Sequence, residues 1–231
     1  MRENRILLWD LPTRAFHWLL FVLVVAAILT ALQGGNLMRW HGLIGQTIIG
    51  LIAFRLAWGL FGSTYARFRN FVRGPSTILG YLRGQWQGVG HNPLGALSVL
   101  VLIGVLLFQA VIGLFTYDDI AFRGPFNALV SRETSAVLTS LHRDGLWWIV
   151  GLAGLHVLAV LYYAIVRRDD LVRPMVTGYK VVADPQAKSA TGGGKWAFLI
   201  AAFFGVVVAW MAAGGPMTVL APPPAPVIAP W

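Results

Sequence analysis

The stretch Leu141-His142-Arg143-Asp144-Gly145-Leu146-Trp147-Trp148-Ile149-Val150-Gly151-Leu152-Ala153-Gly154-Leu155-His156 holds two histidines fourteen residues apart in an apolar run. In a helix that spacing falls about 40° short of four full turns, so both imidazoles leave nearly the same face, roughly 21 Å apart along the axis. The hydrocarbon layer of a bilayer is about 30 Å thick. A helix crossing the layer here presents one imidazole toward each membrane surface, both on one side.

The rest of the chain supports a membrane setting. Hydrophobic residues make up 57% of the 231 and charged residues only 12%, a composition outside the soluble globular range. Five stretches are long and apolar enough to span, roughly Ala15 to Leu32, Leu43 to Phe61, Leu94 to Phe115, Leu146 to Val166 and Trp196 to Ala213. In lipid each must be helical, because only a helix satisfies its own backbone hydrogen bonds within one segment. The expected fold class is therefore all-α, an integral membrane four-helix bundle plus a fifth, C-terminal transmembrane helix. The absence of cysteine excludes disulfides, thiolate metal sites, iron–sulfur clusters held by this chain and covalent haem attachment through Cys-x-x-Cys-His.

The net charge of +9 is explained by topology. With the N-terminus inside, the inner segments carry thirteen Lys or Arg, running from Arg2, Arg5 and Arg14 through Arg67 to Arg83 and on to Arg167 to Lys195. The outer segments carry three, Arg39, Arg123 and Arg132. This bias puts the N-terminus on the inner side of a membrane and the C-terminus on the outer side. It leaves no need for a nucleic-acid partner.

Before the first span, Asp10 and Pro12 read as the cap and first turn of a helix. The 62–93 loop alternates Arg with Phe, Tyr and Trp, as expected of a segment lying among lipid headgroups. The third span holds one strongly polar side chain, Gln109, and no histidine; it reads as a wall. Residues 117–140 read as an outer loop long enough to dock a partner, followed by an approach to the fourth span. A basic, Gly-rich linker covers 181–195, the fifth span 196–213, and a Pro-rich tail on the outer side 214–231.

Inside and outside bookkeeping sorts the five histidines. The first span runs outward and the second and fourth run inward. His17 and His156 therefore fall on the inner side, His41 and His142 on the outer. Each pair joins two different helices at about one depth. Bis-imidazole ligation of a haem iron needs that arrangement, since its axial ligands approach from opposite faces of the porphyrin. A helix projecting past the lipid, or a tilted one, absorbs the slightly different depths of His17 and His156. His91, without a partner in this scheme, reads as a surface residue. A zinc site is disfavoured, because no helix offers histidines at i and i+4. Arg55, fourteen residues after His41, shares its face one membrane depth lower and is the candidate for the propionates of an inner haem.

Five runs carry a more specific likeness: Trp9-Asp10-Leu11-Pro12-Thr13-Arg14-Ala15-Phe16-His17-Trp18, Phe54-Arg55-Leu56-Ala57-Trp58-Gly59, Tyr65-Ala66-Arg67-Phe68, Gly90-His91-Asn92-Pro93-Leu94-Gly95 and Asp170-Leu171-Val172-Arg173-Pro174-Met175-Val176-Thr177-Gly178. Over about residues 5 to 180 the chain resembles the bacterial cytochrome b561 family, most closely its branch of b-type cytochrome subunits of nickel–iron hydrogenases. The resemblance implies two haem b groups held by four histidines that map onto His17, His41, His142 and His156, with residues 1–180 as the haem-bearing domain.

The expected role is electron transfer, as a component of an oxidoreductase in a respiratory chain. Electrons would pass between membrane quinone and a periplasmic carrier or enzyme subunit, either a cytochrome c or a hydrogenase-like protein. A stand-alone superoxide:quinone oxidoreductase is the alternative the resemblance allows. A haem-free scaffold is the third reading.

Overall fold

The computed structural model describes residues 4–86, 88–120 and 122–215; the proline-rich run from Ala221 to Pro226 lies outside them. The architecture is an all-α integral membrane protein. Its helices and strands, in chain order, are β1 (Asn4–Leu7), α1 (Leu11–Gln33), α2 (Met38–Phe61), α3 (Phe68–Phe71), α4 (Pro75–Leu82), α5 (Pro93–Gly113), α6 (Arg132–Ile165), α7 (Val172–Thr177), β2 (Tyr179–Val182) and α8 (Gly194–Ala212). Helices α1, α2, α5, α6 and α8 are each long and apolar enough to cross a membrane.

Local chemistry accounts for the helix starts. Asp10 caps α1, its Oδ1 accepting from the Thr13 amide at 2.7 Å, with proline in the first turn. Its other oxygen accepts from Trp58 Nε1 at 3.1 Å, which ties the end of α2 to the start of α1. Asn92 caps α5 in the same way, accepting from the Gly95 amide at 2.7 Å. Both caps satisfy donors that the first helical turn leaves orphaned.

Helix α6 corrects the sequence reading. It starts at Arg132, inside the stretch read as outer loop and approach, and runs 34 residues, which corresponds to about 51 Å. Its first turns are too polar to register as a span, yet they are well specified: Ser131 caps the helix by accepting from the Thr134 amide at 3.2 Å, and Glu133 sits in the first turn, where a carboxylate favours the helix dipole. The polar extension is stitched to the end of α5. Asn127 Nδ2 donates to Phe115 O at 3.0 Å and to Ser135 Oγ at 2.7 Å, and the Tyr117 amide donates to Thr139 Oγ1 at 3.2 Å.

Helix α2 is the axis of the bundle, packing against α1, α5 and α8. Its Ile52 is fully buried, among Ile48, Ile103, Leu106 and Ile149. The fifth span, α8, lies tightly on α2 through small residues. A Cβ on Gly50 would meet Gly205 O at 2.7 Å, and one on Gly205 would meet Gly50 O at 2.7 Å, the close backbone approach that small residues permit between membrane helices. Helix α6 packs along α5 and makes no extensive backbone contact with α1 or α2 among the described residues.

At the end of the bundle where α1 begins, here called the amino end, a two-stranded antiparallel sheet departs from the purely helical expectation. It pairs Asn4 with Val182 and Leu7 with Tyr179. The turn into β2 uses Gly178 at φ 89°, and a Cβ there would lie 2.9 Å from Trp9 O; only glycine suits both the conformation and the space. The basic linker is held too, with Ser189 Oγ accepting from the Leu7 amide at 3.0 Å and Thr191 O accepting from the Thr64 amide at 2.8 Å.

Candidate functional site

The structure brings four of the five histidines together in twos. At the amino end, His17 of α1 faces His156 of α6 with ring centroids 6.5 Å apart and planes inclined by 49°. At the opposite, far end, His41 of α2 faces His142 of α6 at 5.8 Å and 82°. One helix, α6, thus supplies an imidazole to each pair, while α1 and α2 supply one apiece.

These distances suit an ion clasped between two imidazoles. His17 with His156, and His41 with His142, would each supply two imidazole nitrogens to such an ion. The imidazoles meet although α6 keeps its backbone away from both α1 and α2, so the gap is bridged by side chains. Gly45, one turn after His41, has no heavy atom within 4 Å of where a Cβ would stand. Among the described residues no three His, Cys, Asp or Glu side chains converge, so a centre ligated by protein side chains alone finds too few ligands. Two axial imidazoles per site suit a macrocycle that brings its own equatorial nitrogens.

The far pair is oriented by backbone. His41 Nδ1 lies 2.9 Å from Ala27 O, and His142 Nδ1 lies 3.0 Å from Gln109 O. A carbonyl can only accept, so each Nδ1 carries the proton and each Nε2 keeps its lone pair for a metal. Such outer hydrogen bonds fix ring orientation and raise ligand basicity. Here α5 is more than a wall: Gln109 contributes its carbonyl, and its side-chain Nε2 donates back to His142 O.

The amino-end pair has different surroundings. His17 Nδ1 is buried without a partner, as are Arg55 Nη1, His91 Nδ1 and Thr13 Oγ1. Arg55 is 3% exposed, and its guanidinium lies 4.9 Å from the centre of the Phe68 ring and 6.0 Å from those of Phe16 and Phe71. His91 is not the surface residue that its loop position suggested. Its ring sits between Trp9 and Phe71, at 4.6 Å from each, and burial, helped by the nearby Arg55 and His156, pulls its pKa down to about 3. Buried donors without acceptors are costly. A ligand bearing carboxylates at this end would satisfy them, as the propionates of a haem do.

Residues 8–178 match the family described as prokaryotic cytochrome b561. The chain belongs to that family. This membrane cytochrome is therefore of b type, and the group that suits its imidazole pairs is haem b. It is similar to the probable Ni/Fe-hydrogenase 1 B-type cytochrome subunit of Escherichia coli K12, at 22% identity over 74% of this chain and 89% of that one. It is likewise similar to the probable Ni/Fe-hydrogenase B-type cytochrome subunits of Rhodobacter capsulatus, at 22% identity over 79% of this chain and 84% of the relative, and of Azotobacter vinelandii, at 23% identity over 79% and 91%. No solved structure gives a significant match to the cytochrome.

Sequence reasoning missed the partners of the far imidazoles, because backbone carbonyls leave no signal in side-chain identity. The one available hint was Gln109 itself, a strongly polar residue near the end of an otherwise apolar span. The stacking of His91 was foreshadowed only by the aromatic content of the 62–93 loop, which had been assigned to headgroups.

Proposed function

We propose that this cytochrome binds two haem b groups, one between His17 and His156 and one between His41 and His142, and transfers electrons between a periplasmic redox partner and quinone in the bilayer. The reading rests on one observation above the others: two imidazole pairs, at 6.5 and 5.8 Å, link helices whose backbones stand apart. Haem b, when bound, supplies a one-electron iron couple whose potential the protein sets through its axial ligands, hydrogen bonds and burial.

The chain's own residues do the rest. His41 and His142 present Nε2 in a fixed tautomer; Arg55, with His91 and Thr13 beside the amino-end pair, offers donors to propionates. Bis-histidine ligation leaves no open iron position, so the site is built for electron transfer and not for oxygen chemistry.

The excess of basic residues on the amino-end segments supports a cytoplasmic amino end and a periplasmic far end. Residues 1–180 then form the haem-bearing domain, 181–195 the cytoplasmic linker, 196–213 the fifth span and 214–231 the periplasmic tail. The 117–131 loop faces the partner; it exposes Ile120 at 91% and an Arg132–Asp119 ion pair at 3.5 Å. Since Asp119 offsets Arg132, that surface suits a protein partner better than electrostatic capture of superoxide. The hydrogenase subunits to which the chain is similar favour a partner of the hydrogenase class.

Haem content decides the first part. Purified protein is expected to carry two haem b per chain and to show a reduced-minus-oxidised band near 560 nm; one haem or none overturns the dihaem reading. Proteoliposomes holding the cytochrome and quinone, reduced from the far side, test the second part. Quinone that stays oxidised while the haem reduces removes quinone as acceptor.

A further inference from the structure

We infer that Gln109, on α5, which carries no imidazole of its own, is the positioning residue for the ligand His142 and thereby sets the potential of the far haem. The inference rests on the dihaem reading above.

Two hydrogen bonds run in opposite directions between the same two residues. His142 Nδ1 donates to Gln109 O at 3.0 Å, and Gln109 Nε2 donates to His142 O. The pair therefore closes a ring linking the side chain and backbone of each residue, holding the imidazole in angle and depth as well as in tautomer. A carbonyl in the middle of a helix already accepts one intrahelical bond, and each of these carbonyls has a second lone pair to offer. In an apolar interior neither donor has water as an alternative, so both bonds persist.

The helices are shaped for this contact. Gln109 and Gly113 stand one turn apart on α5; His142 and Gly145 stand about one turn apart on α6. A Cβ on Gly145 would lie 2.0 Å from Gln109 Oε1, and a Cβ on Gly113 would lie 2.8 Å from His142 Cε1. Each glycine opens the notch that the other helix's polar side chain occupies. Without both notches α5 and α6 would have to separate, and the two hydrogen bonds would lengthen together.

The consequence for the iron follows from ligand basicity. An imidazole whose Nδ1–H is firmly donated is a stronger σ-donor through Nε2, and it favours the ferric state. Loosening the clamp weakens that donation and raises the far haem's midpoint potential. The amino-end haem lies outside its reach.

The test uses the full-length cytochrome with Gln109→Met, which keeps volume and loses the donor. Potentiometric titration with low-temperature electron paramagnetic resonance resolves the two low-spin haems, and His142→Ala, which keeps only the amino-end haem, assigns them. Expected is an upward shift of the far haem's potential with an altered low-spin g-value in Gln109→Met, and an unchanged amino-end haem. Gly145→Ala, which pushes directly on Gln109 Oε1, shifts the same haem in the same direction. It serves as the second probe if Gln109→Met fails to accumulate.

Titrations that superpose on wild type at both haems overturn the inference. So does equal loss or equal displacement of both haems, which would mark Gln109 as general packing. Wild-type protein without a haem at the far pair instead overturns the haem assignment itself, a result read before any variant is made.

Discussion

The two ends of this bundle hold their imidazoles by different means. At the far end the rings of His41 and His142 are tethered to backbone carbonyls of α1 and α5, at 2.9 and 3.0 Å. At the amino end His17 Nδ1 has no such tether, and the surroundings are a cage of side chains, with Arg55 stacked over Phe68 and His91 held between Trp9 and Phe71. Backbone carbonyls hold a ring by fixed geometry and tune it through hydrogen bonding. A cage of cations and aromatics tunes by charge and desolvation. If each pair holds a haem as proposed, one protein would apply two independent levers to two sites of the same chemistry, and the sites are expected to respond to different substitutions.

The sharpest way to break that comparison is to remove one ligand. His142→Ala is expected to halve the haem content while leaving the amino-end haem spectroscopically unchanged; loss of both haems would show that the ends are not independent. Next in size is Arg55→Leu. A unit charge about 10 Å away at an effective dielectric of about 20 is worth about 1.7 kcal/mol, or about 70 mV for one electron. The amino-end haem should therefore fall in potential on loss of the cation, with the far haem unmoved. A redox titration in which both haems shift alike would remove the distinction between the two levers.

A smaller effect concerns pH. His91 has a folded pKa of about 3, below the ordinary value of about 6.5. The unfolded chain therefore binds a proton before the folded one does. Its contribution to stability is fully present above pH about 6.5 and is lost as pH falls toward 3, at no more than about 1.4 kcal/mol per pH unit. Thermal unfolding of detergent-solubilised protein between pH 4 and 7 should show this dependence, and His91→Phe should flatten it; identical slopes would deny His91 a part in the cage. The smallest effect on either site is expected from Gly205→Leu. Overpacking the α2–α8 contact costs about 1–3 kcal/mol of stability, yet α8 carries no imidazole, so both haem potentials should stay at their wild-type values.

The helices were legible where one residue pattern had only one physical solution. Apolar runs of spanning length must be helical in lipid, Asp10-Leu11-Pro12 specifies a capped start, and the fourteen-residue spacing of His142 and His156 places both on one face of α6. The 132–141 segment escaped because it is helical without being apolar: Ser131 caps it and Asn127, Ser135 and Thr139 bind it to α5, none of which registers in hydropathy. The β1–β2 ladder was hidden for a related reason. Two four-residue strands separated by almost the whole chain carry no local periodicity that pairs them.

What the sequence determined alone is the set of spanning helices, the depth of the four paired histidines along them, and hence which imidazoles can share a level; these follow from a rise of about 1.5 Å per residue and the thickness of a bilayer. What the tertiary structure decided is the environment of each ring: the carbonyls of Ala27 and Gln109 at the far end, the stacked Arg55 and buried His91 at the other, and the α8 contact along α2. Depth is a one-dimensional property of a chain threaded through a slab. A hydrogen bond to a neighbouring helix depends on rotation and approach, and those are fixed only when Gly113, Gly145, Gly50 and Gly205 let particular faces meet.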